Sequence, residues 1–450
     1  MKSGYKYKYL TQGNVSSSLL KLALPSMFAL VLHNVFGLVD IYFIGKLGSE
    51  QLAAVAMSSL LVRFIITFVF GASLGTVALV SRFQGTGNRE KASDVGRQSV
   101  YLAFLLYIIV ATLINIALEP LLVFLGAKSS FLPNALVYAR IIIFGSIILF
   151  ISSAINAFLR GSGDAMTPMW ALIIAVVLNV ILDPIFIFGY MGVPALGVAG
   201  SAIATVISRA VGMLFLIYHI LFSKRELSFS IFPVKPDFSI MWRILRIGVF
   251  GSIQGMVRNL SSLALVKIIS EYGTAVIAAY GVIVRLRMSV LLPIMGLSMA
   301  TAIMVGQNLG AGKPERSNSA AWLSIAYGEI LMLVGMVLFF FKGGDFVSFF
   351  NKDPDVIANG ALYFHYFAPA LILACVSIIL ERALSGAGDT ISPMIITIVF
   401  TLFLRIGLAL YLKKFLGLDG VWIACAISIV IQGLVTAGWF KMGFWKKKKV

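Results

Sequence analysis

Long apolar stretches separated by short polar or Gly/Pro loops run through the whole chain. About twelve of them are long enough to cross roughly 30 Å of hydrocarbon. Backbone groups in lipid are satisfied only in helices or closed barrels, so runs of this length predict helices. The predicted spans cover residues 19–45, 52–81, 96–125, 132–159, 167–189, 195–221, 242–270, 276–307, 318–341, 357–384, 391–412 and 419–441. The pattern predicts an all-α polytopic membrane protein with twelve transmembrane helices.

A separation of 225 residues maps the first half of this pattern onto the second. Gly85-Thr86-Gly87 matches Gly310-Ala311-Gly312, and the segment 161–168 matches 386–393, with Gly, Gly, Asp and Pro in register. A duplicated set of six hydrophobic spans predicts two pseudo-symmetric lobes around a central cavity, an architecture typical of alternating-access transporters. The predicted domains are an N-terminal lobe (1–221), a polar inter-lobe linker (222–241) and a C-terminal lobe with a basic tail (242–450).

Composition and charge agree with a membrane protein. The chain is 60% hydrophobic and only 12% charged, which leaves too little polar surface for a soluble fold. The formal net charge of +18 arises mostly from Lys and Arg in the termini and in alternate loops. This asymmetry follows the positive-inside rule, so we predict a multi-pass protein of the cytoplasmic membrane with both termini and the 222–241 linker in the cytoplasm. The basic tail is expected to contact lipid headgroups, and we expect no nucleic-acid partner.

The usual signals of catalysis or of a resident cofactor do not stand out. Cys375 and Cys425 fall inside predicted helices, which argues against a disulfide or a metal cluster. The three histidines, His33, His219 and His365, have no metal-ligand spacing, and no catalytic triad or nucleotide-binding motif is apparent. A membrane-embedded enzyme, the alternative from a different class, would need catalytic groups in longer interfacial loops. We therefore predict no enzyme and no cofactor.

Polar residues present in only one half are candidates for function, because residues shared by both halves are expected to form the scaffold. Asp40 in the first span corresponds to Leu265 in the second half. In the fifth span, Asn179 and Asp183 correspond to Leu404 and Leu408. An ionised carboxylate at mid-membrane costs about 2.5–3.5 kcal/mol on insertion scales, so two in one lobe indicate a functional acidic site.

The fifth span arranges its polar residues for a shared ligand. Asn179 and Asp183 are four residues apart and lie on one helical face, and Thr205 in the sixth span offers a hydroxyl. Pro184 leaves one helical carbonyl without its usual partner and is expected to kink the span. Desolvation and mutual repulsion disfavour the charged forms of Asp40 and Asp183, so a proton or a small cation is the candidate coupling ion.

The C-terminal lobe carries a different polar set. Gln254, Arg258 and Asn259 lie in the seventh span and Glu381 near the end of the tenth. The simplest interpretation of Glu381 is neutralisation by Arg382 or Arg405 within the bundle.

These motifs together resemble the MATE (multidrug and toxic compound extrusion) family over nearly the whole length. The most specific is Asn179-x-x-x-Asp183-Pro184 with the upstream membrane residue Asp40; the Gly-rich turns are weaker signals. The supporting segments are Leu22-Ala23-Leu24-Pro25, Gly45-Lys46-Leu47-Gly48, Gln84-Gly85-Thr86-Gly87, Arg160-Gly161-Ser162-Gly163-Asp164 and residues 197–205.

The resemblance implies secondary active export of organic, mostly cationic compounds by antiport with H+ or Na+. In the DinF-type branch, the cation-coupling residues fall on Asp40, Asn179, Asp183 and Thr205 of this chain, which would also hold Na+. Ala374 stands where the NorM-type branch has an aspartate in the tenth span, which favours the DinF-type branch.

Further expectations follow from the same resemblance. The partners would be small organic substrates and the bilayer, with the protein working as a monomer. A lipid-linked oligosaccharide flippase of the same superfamily is the alternative; Arg258, Arg285, Arg287 and Arg405 support it, and the two membrane aspartates oppose it. Pro25 and Pro184 are the predicted helix kinks. Candidates for the substrate cavity are Asn34, Phe36, Asn156, Gln254, Arg258 and Asn259.

Overall fold

A computed structural model describes residues 9–222 and 235–448, apart from the side chains of residues 9, 63 and 64, and every regular element in these ranges is helical. Residues 223–234, which form most of the predicted inter-lobe linker, lie outside the described residues, as does Lys449 in the basic tail. The described helices confirm the predicted all-α class.

The described part of the first half contains seven α-helices, of which the first is a single turn. They are α1 (Tyr9–Gln12), α2 (Val15–Gly45), α3 (Ser49–Gly85), α4 (Arg89–Phe124), α5 (Leu132–Gly161), α6 (Met166–Phe188) and α7 (Gly197–Phe222). A 3₁₀ turn at Tyr190–Gly192 joins the last two.

The second half repeats this order with two irregular spans. Its helices are α8 (Phe238–Ile269), α9 (Thr274–Gly310), α10 (Pro314–Phe350), α11 (Pro354–Phe367), α12 (Ala370–Gly386), α13 (Ile391–Ile396) and α14 (Arg405–Met442). A π-helical segment, Thr397–Leu404, connects α13 to α14, and 3₁₀ turns occur at Ser270–Tyr272 and Phe444–Lys447.

The described helices account for the twelve predicted spans. Nine pass by length and hydropathy, and the pair α11 and α12, bent by 64° at residues 368–369, forms a tenth. The predicted continuous span 357–384 is therefore broken at Pro369, which cannot donate a helical hydrogen bond. The 52-residue run Ile391–Met442 counts as one of the nine but is non-helical at Gly417, which divides it into two spans. Helix α8 is 32 residues long and completes the count; its four basic residues lower its hydropathy.

The duplication is visible in equivalent turns. Gly163 and Gly388 both adopt positive φ, 98° and 88°, ahead of α6 and α13. In each copy the following aspartate accepts hydrogen bonds at the start of the next helix: Asp164 from the hydroxyl of Thr167 at 2.6 Å, and Asp389 from that of Ser392 at 2.7 Å. The Gly-x-Gly-Asp motif thus belongs to the shared scaffold.

Packing divides the chain into two compact units. Unit 1 contains Phe28–Val249, and unit 2 contains Tyr9–Met27 together with the residues from Phe250 onward. The units thus differ from the sequence halves in the first part of α2, which belongs to unit 2, and the first part of α8, which belongs to unit 1. In unit 1, α3, α4 and α5 share a large apolar core, whereas unit 2 is rich in buried aromatic side chains such as Tyr363, Phe367 and Trp422.

Candidate functional site

The four residues predicted to bind the coupling ion come together inside unit 1. The Nδ2 of Asn179 donates a hydrogen bond to Oδ1 of Asp183 across 3.2 Å, within α6. The hydroxyl of Thr205 in α7 donates to Oδ2 of Asp40, near the end of α2, across 3.4 Å. The Asp40 side chain also contacts those of Asp183 and Asn179. Three helices therefore assemble one polar cluster from residues far apart in sequence.

This cluster is rich in oxygen acceptors, and all of its members except the half-buried Asp40 are shielded from solvent. Asn179 and Asp183 are 0% exposed and Thr205 is 3% exposed. Three buried oxygens, Oδ1 of Asp40, Oδ1 of Asn179 and Oδ2 of Asp183, accept no hydrogen bond from the described residues. Carboxylate and amide oxygens only accept, so facing acceptors are satisfied by a shared proton or by a hard cation.

The donor set does not suit a transition metal. Among the described residues, no group of three or more His, Cys, Asp and Glu side chains is arranged to hold a metal ion. The cluster offers two carboxylates with amide and hydroxyl oxygens, which are ligands for hard cations or protons.

Arg209 also belongs to the acidic cluster, and sequence reasoning missed it. Its guanidinium lies 5.2 Å from the centre of the Phe36 ring and interacts electrostatically with Asp40. It sits one helical turn after Thr205, and its counterpart in the second half is Leu434. The comparison of the two halves that singled out Asp40 would have found Arg209 by the same reasoning.

Tyr138 is a second addition from α5. It is buried and interacts electrostatically with Asp40 and Asp183. Its counterpart, Tyr363, is also a tyrosine. Because both halves have a tyrosine at this position, a comparison of the halves could not mark Tyr138 as a functional residue.

The first-lobe candidates for the substrate cavity lie in different environments. Phe36 is buried against Ala175 and Val176 beneath Arg209, whereas Asn34 is exposed. Asn156 is half-buried, and its Oδ1 is shielded and accepts no hydrogen bond from the described residues.

Glu381 has an ion-pair partner that the sequence analysis did not predict. Glu381 forms an ion pair with Arg258 of α8 and interacts electrostatically with the predicted partner Arg382, but among the described residues it forms no ion pair with Arg405. The reason is direction: the Glu381 side chain points towards α8, while Nε of Arg405 donates to Ser428 at 3.2 Å. Of the other second-lobe candidates, Asn259 is exposed, and Gln254 is buried and engaged with Glu381.

Hydrogen bonds satisfy the Glu381 carboxylate fully. Its Oε1 accepts from Ser377 and Gln432, each at 2.8 Å, and its Oε2 accepts from Gln254 at 2.9 Å and from Arg258. Glu381 is 3% exposed, so this network is an internal structural element of unit 2. It contrasts with the unsatisfied oxygens of the acidic cluster in unit 1.

Both predicted kink prolines lie inside continuous helices. Pro25 is in α2 and Pro184 in α6, which continues one further turn to Phe188. Gly189, at φ 80°, then ends α6. Pro184 therefore removes one backbone donor next to Asp183 without ending the helix.

Comparison with known proteins identifies the family. The MatE family model matches residues 25–185 and 252–411, once in each half of the chain. The probable multidrug resistance protein NorM of Thermotoga maritima is 29% identical over 443 residues, covering 97% of this chain and 94% of that protein. A FAD transporter of Shewanella oneidensis is 26% identical over 431 residues, with 94% of each covered.

Among solved structures, a MOP superfamily transporter from Pyrococcus furiosus superposes with a TM-score of 0.91 at 27% identity, covering 98% of this chain and 99% of that one. The binding pocket of that transporter has reverse polarity, which suggests a different function for that protein. These matches agree with the motifs, the duplication and the helical fold. The chain belongs to the MatE family and is a multi-pass membrane transporter, not an enzyme.

Proposed function

We propose that this transporter exports small organic compounds, including cationic drugs, by antiport with H+ or Na+ that binds at Asp40, Asn179, Asp183 and Thr205. The similarity to a protein named for multidrug resistance supports the substrate class. The acidic cluster of unit 1 supports the coupling mechanism. One relative is named for multidrug resistance and another for FAD transport, so we propose a class of compound rather than a single molecule.

The net charge of the acidic cluster is the observation that carries this proposal. Two carboxylates, Asp40 and Asp183, interact with each other, and Asp40 also interacts with one guanidinium, that of Arg209. With both aspartates ionised the three groups sum to one negative charge, in a buried environment where uncompensated charge is costly. One proton or one Na+ brings the cluster to neutrality. The arrangement therefore favours a single monovalent coupling ion.

The same charge gives a physical basis for antiport. An organic cation is attracted to the cluster when the cluster is negative, and it loses that attraction when a proton or Na+ neutralises the cluster. Ion and substrate would then oppose each other's binding, which is thermodynamic coupling of negative sign. Alternating access turns this opposition into exchange when each ligand is carried in its own half-cycle.

We further propose that both termini lie in the cytoplasm and that one chain is the working unit. The distribution of basic loops supports the orientation. The presence of two duplicated halves in a single chain supports a monomer, because one chain already supplies both repeats.

Transport by purified protein in proteoliposomes tests the function. Ethidium serves as the organic cation, and its accumulation is followed by fluorescence with an imposed proton gradient, an imposed sodium gradient or neither. We expect accumulation against its gradient with at least one of the two ions and none without a gradient. Ethidium accumulation that is equal with and without either ion gradient would contradict ion antiport.

A further inference from the structure

Two arginines inside unit 2 have no acidic partner among the described residues. Arg287 is in α9, and Arg405 begins α14. Nη1 of Arg287 donates a hydrogen bond to the Tyr363 hydroxyl at 3.1 Å, and Nε of Arg405 donates to the Ser428 hydroxyl at 3.2 Å. Across residues 9–222 and 235–448, no carboxylate lies within salt-bridge distance of either guanidinium.

The two guanidinium groups also repel each other. Arg405 interacts electrostatically with Arg287, and the other groups that act on it are Cys425, Tyr280 and Tyr363. The phenols and the thiol are neutral near pH 7 in their ordinary forms. Arginines in membrane segments are normally paired, as Arg258 is with Glu381 in this same unit. Two adjacent positive charges without compensation therefore need an explanation other than packing.

The duplication shows that the fold itself does not require these arginines. The positions 225 residues earlier hold Val62 and Val180. The first half thus builds the equivalent helices with apolar side chains. The same reasoning marked Asp40 and Asp183 in unit 1, where the second half has leucines.

Unsatisfied hydrogen-bond donors accompany the pair. Nε of Arg287 and Nε1 of Trp422 are buried, and neither has a hydrogen-bond acceptor among the described residues. Both atoms are obligate donors. A ligand group that complements them must be an acceptor, and the two positive charges require it to be negative.

Aromatic rings surround the arginines. The Arg287 guanidinium lies 5.3 Å from the centre of the Phe367 ring. Trp422 stacks on Tyr280 at 6.2 Å between ring centres and meets the edge of Tyr363 at 5.1 Å. These four rings are buried, whereas Arg287 and Arg405 remain partly exposed. A ligand could reach the charged ends, and the aromatic rings are packed directly behind them.

We infer that Arg287 and Arg405 form an anion-binding subsite in unit 2, which takes the carboxylate or phosphate of a small aromatic compound. The planar guanidinium matches both oxyanions through paired N–H donors. The aromatic walls favour a ligand with a ring system attached to that anionic group. The inference goes beyond the proposed function, because it concerns another unit and the opposite ligand charge.

A pair of flavins that differ only in charge tests the subsite. Binding of riboflavin 5′-phosphate and of uncharged riboflavin to the purified full chain is measured by fluorescence anisotropy, at low salt in neutral detergent, without any ion gradient. We expect the phosphate-bearing flavin to bind about tenfold or more tightly, the size expected for hydrogen bonds to a charged group. Arg287→Gln or Arg405→Gln should reduce its affinity to that of riboflavin. Equal affinity of the two flavins for the wild type, or no binding of either, overturns the inference.

Two further variants keep the result interpretable. Arg287→Lys retains the charge and loses the planar fork, so its affinity for riboflavin 5′-phosphate should fall between those of wild type and Arg287→Gln. Arg243→Gln removes an exposed arginine from α8 and serves as the matched control, with binding unchanged. If Arg287→Gln elutes as an aggregate, the Lys variant decides: full wild-type affinity in it contradicts recognition by the guanidinium fork.

Competition identifies the source of the anionic group. Inorganic phosphate should displace riboflavin 5′-phosphate only at much higher concentration, because it lacks the ring. Vesicle-derived phosphatidylglycerol should displace it weakly. Displacement by phosphatidylglycerol at equal or lower concentration than the flavin would show a lipid-headgroup site and would overturn the assignment to a small aromatic compound.

Discussion

The side-chain amide of Asn179 donates a hydrogen bond to Oδ1 of Asp183, one helical turn further along α6, across 3.2 Å. This contact fixes one oxygen of Asp183, and its other oxygen, Oδ2, has no hydrogen-bond donor among the described residues. The helix itself sets the geometry, since residues four apart share a face. An oxygen held in this way is oriented for a ligand that Asp40 shares.

Removal of the amide of Asn179 should weaken ion binding more than it slows transport. In Asn179→Ala, the Asp183 carboxylate loses its orienting donor, and the site loses one oxygen ligand. We expect the ion concentration for half-maximal ethidium transport to rise about tenfold, in line with about 1.5–3 kcal/mol for a hydrogen bond to a charged group. The rate at saturating ion should change little. Asn359→Ala, at a partly exposed position of α11 outside the acidic cluster, is the control, and an equal effect in it would show a general loss of function.

Pro184 is predicted to be a mechanical element of α6. It leaves one helical carbonyl without its usual donor directly beside Asp183, so the helix should bend more easily there when the ion binds. Pro184→Ala should slow transport and leave equilibrium ethidium affinity within a few-fold. The comparison of rate with affinity in the same preparation checks this. A wild-type rate in Pro184→Ala would remove the proline from the mechanism.

The acidic cluster could be predicted from sequence because the chain supplies its own comparison. Asp40, Asn179 and Asp183 stand out against leucines 225 residues later, and helical spacing places two of them on one face. The number of spans followed from bilayer thickness. Helical spacing, bilayer thickness and the comparison of the two halves were sufficient to predict the acidic cluster and the number of spans.

These rules could not predict which residue of a neighbouring helix a given side chain contacts. Glu381 has arginines nearby in sequence and in a neighbouring span, yet its partner is Arg258 on α8. The choice depends on how α8, α12 and α14 rotate about their axes, which hydropathy does not determine. The break at Pro369 was missed for a related reason: proline is tolerated in membrane helices, so its presence alone does not mark a bend of 64°.

The Glu381 network should contribute to stability rather than to coupling. Arg258→Gln leaves a carboxylate that is 3% exposed without its cation and should lower stability by about 1.5–3 kcal/mol. The arginine is 41% exposed, so we expect the lower end of that range. Thermal unfolding in detergent should show a lower apparent Tm for Arg258→Gln. Adding Glu381→Gln should recover part of the loss, because neither charge is then left unpaired. Strictly additive losses in the double variant would contradict a direct pair.

The orientation of the chain is tested by cysteine labelling. Ser228→Cys in the linker and Lys449→Cys in the tail should be protected from impermeant maleimide in intact cells and labelled after permeabilisation, because basic segments are retained in the cytoplasm. Both variants are made in a background with Cys375 and Cys425 replaced by Ala, which removes the two native thiols. Labelling of either cysteine in intact cells would reverse the proposed topology.

The central claim is that Asp40 and Asp183 bind the coupling ion, and paired transport assays on one set of proteoliposomes test it most directly. The first assay measures ethidium accumulation driven by the ion gradient; the second measures ethidium exchange at equal concentrations on both sides, which needs no ion. Asp40→Asn and Asp183→Asn should each abolish gradient-driven accumulation and retain exchange at saturating ethidium, with weaker ethidium affinity because the cluster is then permanently neutral. Asp345→Asn, an exposed aspartate paired with Lys342, should behave as wild type in both assays. Gradient-driven accumulation at the wild-type level in both Asp40→Asn and Asp183→Asn would contradict the account.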